Sequence, residues 1–121
     1  MKLTDFLGKE YGPGDLVIYG AMSGRSINMV VGRVTDIYRV WHNSYYVGER
    51  YGWERLADDE PVPHHFTHDG EDLGECSSGH RVKIQPIRGS RWKQHYSARA
   101  VTLEITDNIV KWEGELPDAD V

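Results

Sequence analysis

Apolar and polar residues alternate along much of this chain with the period of a β-strand. Leu16-Val17-Ile18-Tyr19 is a short apolar run between Gly14 and Gly20, the pattern of a buried strand. Between Ser26 and Val40, Ile27, Met29 and Val31 alternate and are followed by Val34, Ile37 and Val40. The expected inward face therefore changes phase near Gly32, which predicts a bulge or sharp bend of the kind that curls a sheet. Alternation returns at Arg81-Val82-Lys83-Ile84-Gln85-Pro86-Ile87, where Pro86 predicts an edge or a strand end. Ala98 to Ile105 repeats the pattern through Val101, Leu103 and Ile105, and Thr106-Asp107-Asn108 predicts a turn into Ile109-Val110-Lys111-Trp112.

Three stretches depart from this period. Leu3, Phe6 and Leu7 are spaced like one face of a helix, with Thr4 or Asp5 as its cap, so a short helix is expected over residues 1–11, stopped by Gly12-Pro13-Gly14. Beyond Trp41, Tyr45-Tyr46-Val47 reads as a strand and Glu54-Arg55-Leu56-Ala57 as a helical turn. Residues 57–79 hold prolines, glycines, acids and histidines with few apolar side chains, and are expected to form a long loop insertion. Loops of that length are commonly functional or disordered. The acidic tail, 113–121, is expected to be loose.

Short strands with glycines at the bends predict a mainly β protein: a small barrel, closed or half-closed, because closure removes exposed edges. The expected organisation is one domain over 1–121, with barrel halves at 14–56 and 80–112 around the insertion. The stretches Gly14-Asp15-Leu16-Val17-Ile18-Tyr19 and Val31-Gly32-Arg33-Val34-Thr35-Asp36-Ile37 resemble the opening of SH3-like barrels of the KOW and Tudor kind. Val101-Thr102-Leu103-Glu104-Ile105 and Ile109-Val110-Lys111-Trp112 are similar to the closing strands of the same barrels. The segment from Tyr19-Gly20 to Met29 also resembles small uncharacterised proteins encoded by phages of actinobacteria. These resemblances imply an SH3-like barrel of phage origin and supply no catalytic residue.

The chain has 121 residues, 39% hydrophobic and 27% charged, which suits one soluble domain. Its N-terminus lacks the apolar run of a secretory signal, and no run approaches the roughly 18 apolar residues of a membrane span. No membrane association is expected, and the expected location is the host cytoplasm, or the virion for a structural component. Cys76 is the only cysteine, which excludes an internal disulfide and fits a reducing compartment.

The formal net charge of −5 conceals opposed regions. Residues 80–99 contain Arg81, Lys83, Arg88, Arg91, Lys93 and Arg99 with no acid, interleaved with Trp92, His95 and Tyr96. Phosphate neutralisation plus stacking is what a nucleic-acid surface needs, and the same residues would grip an acidic protein. Glu54 to Glu75 carries eight acids against one base and could instead cover this strip from within.

The loop insertion holds a candidate metal site. His65 and His68, or His64 and His68, followed by Cys76 and His80, are donors that zinc prefers, and four together would make a closed structural site. The plainer reading is solvated histidines with Cys76 an inert buried thiol, and no other cofactor is expected. A third feature is the cluster Tyr38, Trp41, Tyr45, Tyr46, Tyr51 and Trp53. In Tudor-like barrels such aromatics cage methylated amines, and in protein interfaces they serve as anchors. The plainer reading has these rings filling a small barrel.

No GxGxxG, P-loop or GxSxG motif is present, and no base with its orienter can be named for Cys76. The expected activity is therefore non-enzymatic binding by a phage-encoded module, with a host or phage protein as the favoured partner. The expected contact residues are Arg81, Lys83, Arg88, Arg91, Trp92, Lys93, Tyr96 and Arg99, with Trp41, Tyr45, Tyr46 and Trp53. The alternatives are a nucleic-acid-binding barrel using residues 80–99 and a virion component that self-associates. A metal-dependent enzyme built on the histidine loop would need an open coordination position.

Overall fold

A computed structural model describes residues 1–23, 26–43, 52–89, 99–104, 106 and 108–114. Every regular element among the described residues is a strand: β1 (Leu3–Thr4), β2 (Glu10–Tyr11), β3 (Leu16–Ser23), β4 (Ser26–Asn43), β5 (Gly52–Leu56), β6 (His64–Phe66), β7 (Asp72–Glu75), β8 (Ser78–Gly89), β9 (Val101–Leu103) and β10 (Ile109–Trp112). The chain divides into two compact units, one formed by residues 1–37 and 82–121 and the other by residues 38–81.

The first unit is built on the antiparallel strand order β10-β3-β4-β8-β9. Antiparallel register fixes which side chains face inward, because residues directly opposite share a face. Val17 lies opposite Gly32 and Tyr19 opposite Val30, and all four point into the core. Ile18↔Val31 and Gly20↔Met29 occupy the other face, so Ile27 and Met29 are 67% and 53% exposed. The inward phase expected from Ile27, Met29 and Val31 is thus corrected: Asn28, Val30, Gly32 and Val34 point inward. Register with β3 runs unbroken through Gly32, which marks a close approach, and the expected change of inward phase comes further on, between Val34 and Ile37. A Cβ there would collide with Ile84 Cγ2 and lie 3.0 Å from the Gln85 carbonyl oxygen. Val82, Ile84 and Ile109 complete the core with Tyr11 and Ile37, and Leu3, Ala21, Val101 and Leu103 pack against it.

The expected N-terminal helix is absent. In its place β1 and β2 form a hairpin, Leu3↔Tyr11 and Thr4↔Glu10, whose connection is organised by Asp5. The Asp5 Oδ1 atom accepts from the backbone N–H groups of Leu7 (2.9 Å) and Lys9 (2.7 Å), and Oδ2 from that of Lys111 (2.8 Å). Gly8 supplies the positive φ that the connection requires. Phe6 and Leu7, which imitate a helix face, are 72% and 63% exposed. Tyr11 is fully buried, and its hydroxyl donates to the Thr106 carbonyl at 2.6 Å.

The expected closed barrel is corrected to an open sheet. β9 pairs with β8, and β10 pairs with β3 at the opposite end of the strand order, so β9 and β10 do not form the expected closing hairpin.

In the second unit β5 pairs with the last residues of β4, from Arg39↔Leu56 to Asn43↔Gly52, where a helical turn was expected. The expected long loop is also structured. β6 and β7 form a hairpin with His64 opposite Glu75 and Phe66 opposite Asp72. Gly70 and Gly74 take positive φ, Thr67 N–H donates to the Glu71 carbonyl, and Cys76 N–H donates to the Pro63 carbonyl. Trp41, Leu56 and Cys76 form this unit's core, with Val62 against them.

Candidate functional site

The register of the end of β4 with the facing strand β5 assigns their residues to two faces, with Val40 and Trp41 both buried. Trp41 and Leu56 point to the core, while Asn43 donates from Nδ2 to Glu54 Oε2 at 3.2 Å on that side. The residues of opposite parity form the other face: Tyr38, Val40 and His42 on β4, and Trp53 and Arg55 on β5. His42 stands opposite Trp53 in register, their rings edge-to-face with centroids 5.1 Å apart. Arg55 lies opposite the buried Val40 and places its guanidinium 4.3 Å from the centre of the Tyr38 ring. Arg81, from β8, sits 4.8 Å from the centre of the Trp53 ring.

This surface therefore carries two cation–π pairs with an imidazole beside them. Each pair contributes about 0.5–1 kcal/mol at an exposed site and restrains a side chain that would otherwise sample many rotamers. Trp53 remains 50% exposed despite contact with both His42 and Arg81. A large ring held in place with half its surface in water is the arrangement of an interface anchor.

The expected contact residues fall into separate groups. Arg81 and Trp53 come together on this face, whereas Trp41, only 9% exposed, belongs to the core and is not presented as a contact. Lys83 and Arg99 are exposed in the first unit, and Arg88 lies in β8. Tyr45, Tyr46, Arg91, Trp92, Lys93 and Tyr96 lie outside the described residues. His42 and Arg55 were not among the expected residues, because their place on this face depends on β5 being a strand paired to β4.

The candidate zinc donors are not gathered. His65 lies in β6, His68 is exposed in the β6–β7 turn, Cys76 is buried in the core and His80 is half-buried in β8. Among the described residues no group of three or more His, Cys, Asp or Glu is placed to hold a metal ion. His64, the alternative to His65 in the expected set, pairs with Asp72 at 2.8 Å. The Gly74 N–H and then His64 hold the Asp72 carboxyl below its ordinary range. Burial, reinforced by Arg39, lowers the His80 pKa and favours its neutral form.

The acidic turn after β5 is held by a base outside the strip 80–99. Arg39 Nη1 donates to the carbonyls of Ala57 (3.0 Å), Asp58 (3.0 Å) and Glu60 (2.7 Å).

No protein-family model, curated protein or solved structure matches the chain. Among the described residues no helix is long and apolar enough to cross a membrane.

Proposed function

We propose that this chain is a non-enzymatic binding module that docks a protein partner on the β4–β5 face. The observation that carries the reading is Trp53, half exposed yet fixed between His42 and Arg81. Tryptophan and arginine dominate the energetics of protein interfaces, where a rigid ring loses little entropy on burial. The open sheet could belong to an incomplete SH3-like barrel, and the resemblance of the Tyr19–Met29 segment supports a phage-encoded protein acting on a host or phage protein.

A methylated-amine cage is the weaker reading of the same rings. One face of Tyr38 and one face of Trp53 are already covered by the protein's own guanidiniums, which repel a further cation.

Affinity capture from nuclease-treated lysate of the producing cells, with wild-type protein and Trp53→Ala side by side, tests the reading. It predicts a discrete protein partner retained by wild type and lost from the variant while the melting temperature is unchanged. Capture that survives Trp53→Ala, or disappears on nuclease treatment, overturns it.

A further inference from the structure

We infer that β9 is the pairing edge of a symmetric dimer, in which a second copy of this chain adds its own β9 antiparallel and the sheet runs on through a twofold axis. The inference concerns the first unit and does not depend on the β4–β5 face.

The two ends of the strand order β10-β3-β4-β8-β9 are finished differently. At β10 the N-terminal hairpin covers the edge: the Phe6 N–H donates to the Ile109 carbonyl at 2.9 Å, and the Lys111 N–H donates to Asp5 Oδ2 at 2.8 Å. At the other end β9 pairs with β8, through Val82↔Leu103, Lys83↔Thr102 and Ile84↔Val101, and no described strand lies beyond it. A sheet edge is a template for another strand, and proteins blunt it with lysine, proline, a bulge or a charge turned inward. Val101, Thr102 and Leu103 supply none of these.

The strand complements itself when it is turned around. Val101 and Leu103 pack against the core, while Thr102 is exposed. Directly opposed residues share a face. Antiparallel pairing about Thr102 therefore sets Val101 opposite the second copy's Leu103 on the core side, and Thr102 opposite its own counterpart.

Charge selects both the orientation and the occupant. Arg99 lies two residues before β9 and Glu104 directly after it, and both are exposed. Antiparallel pairing brings the Arg99 end of each copy beside the Glu104 end of the other, whereas parallel pairing would bring like charges together. A nucleic acid, or a peptide of one charge sign, would match only one end of the strand. Lys83 stands beside Thr102. The two copies of Lys83 would be three inter-strand gaps apart, about 14 Å, beyond a Debye length of about 10 Å. Residues 1–37 and 82–121 hold ten acids and ten bases, so no net charge on this unit keeps two copies apart. With the β10 edge covered, assembly closes at two copies. Three paired residues form few hydrogen bonds, so the dimer is weak and concentration-dependent.

Sedimentation equilibrium of the full chain from about 10 μM to about 1 mM provides the test. The average mass should rise from that of a monomer toward that of a dimer and no further. Arg99→Glu alone, or Glu104→Arg alone, sets like charges beside each other at both ends of the pairing and should weaken dimerisation about tenfold. The double variant Arg99→Glu/Glu104→Arg should regain it, a recovery that misfolding would not produce. Single variants that dimerise as wild type does, a double variant as weak as the singles, or growth beyond a dimer overturns the inference. So does a chain that stays monomeric throughout, including one whose β9 amides gain exchange protection only with a captured partner.

Discussion

Gly32 lies directly against Ile84, with no room between the two strands for a Cβ atom. The Gln85 carbonyl oxygen, 3.0 Å from where that Cβ would sit, is backbone and cannot rotate away. Gly32→Ala should therefore destabilise the first unit by about 2–3 kcal/mol, as overpacking of a rigid core does. Ile84→Ala costs about 2–5 kcal/mol alone but, because it removes the Cγ2 methyl that the new Cβ would meet, should recover part of the loss in the double variant. Chemical denaturation of the two single variants and the double variant measures this coupling, and strict additivity would contradict the proposed contact.

Asp5 predicts a response to acid. Burial works to raise its pKa, but the backbone N–H groups of Lys111, Lys9 and Leu7 outweigh that effect and hold it below the ordinary range. A carboxylate with a lowered native pKa contributes stability that is fully present above its unfolded value, about 3.9, and is lost as pH falls through the native value. Asp5→Ala should cost about 2 kcal/mol at neutral pH by leaving three N–H groups without their acceptor. Asp5→Asn should cost less, because its amide oxygen can still accept on the Leu7 and Lys9 side. Denaturation curves from pH 7 to pH 2 should show the gap between wild type and Asp5→Asn closing only below about pH 4.

Arg39 predicts a local effect. One of its nitrogens bonds three backbone carbonyls of the turn after β5, so Arg39→Ala should loosen that turn at a global cost of about 1 kcal/mol. Limited digestion with a protease that cuts on the amino side of aspartate should cleave the Ala57–Asp58 bond faster in the variant, while protection at the Ile84 amide stays unchanged.

The strand pattern was legible where an apolar run stands between glycines, as in β3, and where one face is apolar and the other polar, as in the middle of β8. Ile27 and Met29 misled because alternation reports a face without saying which face is inward. The decision came from Val17 and Tyr19 on the neighbouring strand, which set the register. The β6–β7 hairpin gave no signal, since His64–Phe66 and Asp72–Glu75 are short and polar, and are organised by glycines, turn hydrogen bonds and the His64–Asp72 pair. Leu3, Phe6 and Leu7 have helical spacing, but a helix needs a partner for its apolar stripe, and Asp5 instead satisfies the backbone of a tight hairpin. Trp53 and Arg81 were both candidates in the sequence, one from the aromatic cluster and the other from the basic strip. Their association was not legible, because it joins residues 28 positions apart through two strands that a helical reading of Glu54–Ala57 kept separate.

The central claim is that Trp53 is a fixed, solvent-facing anchor while Trp41 is core. The indole N–H resonances of the ¹⁵N-labelled protein distinguish the two, each assigned by its disappearance in Trp53→Phe or Trp41→Phe. During titration with the captured partner, the Trp53 resonance should shift and saturate while that of Trp41 stays in place. Saturable binding that leaves the Trp53 resonance unmoved would contradict the account.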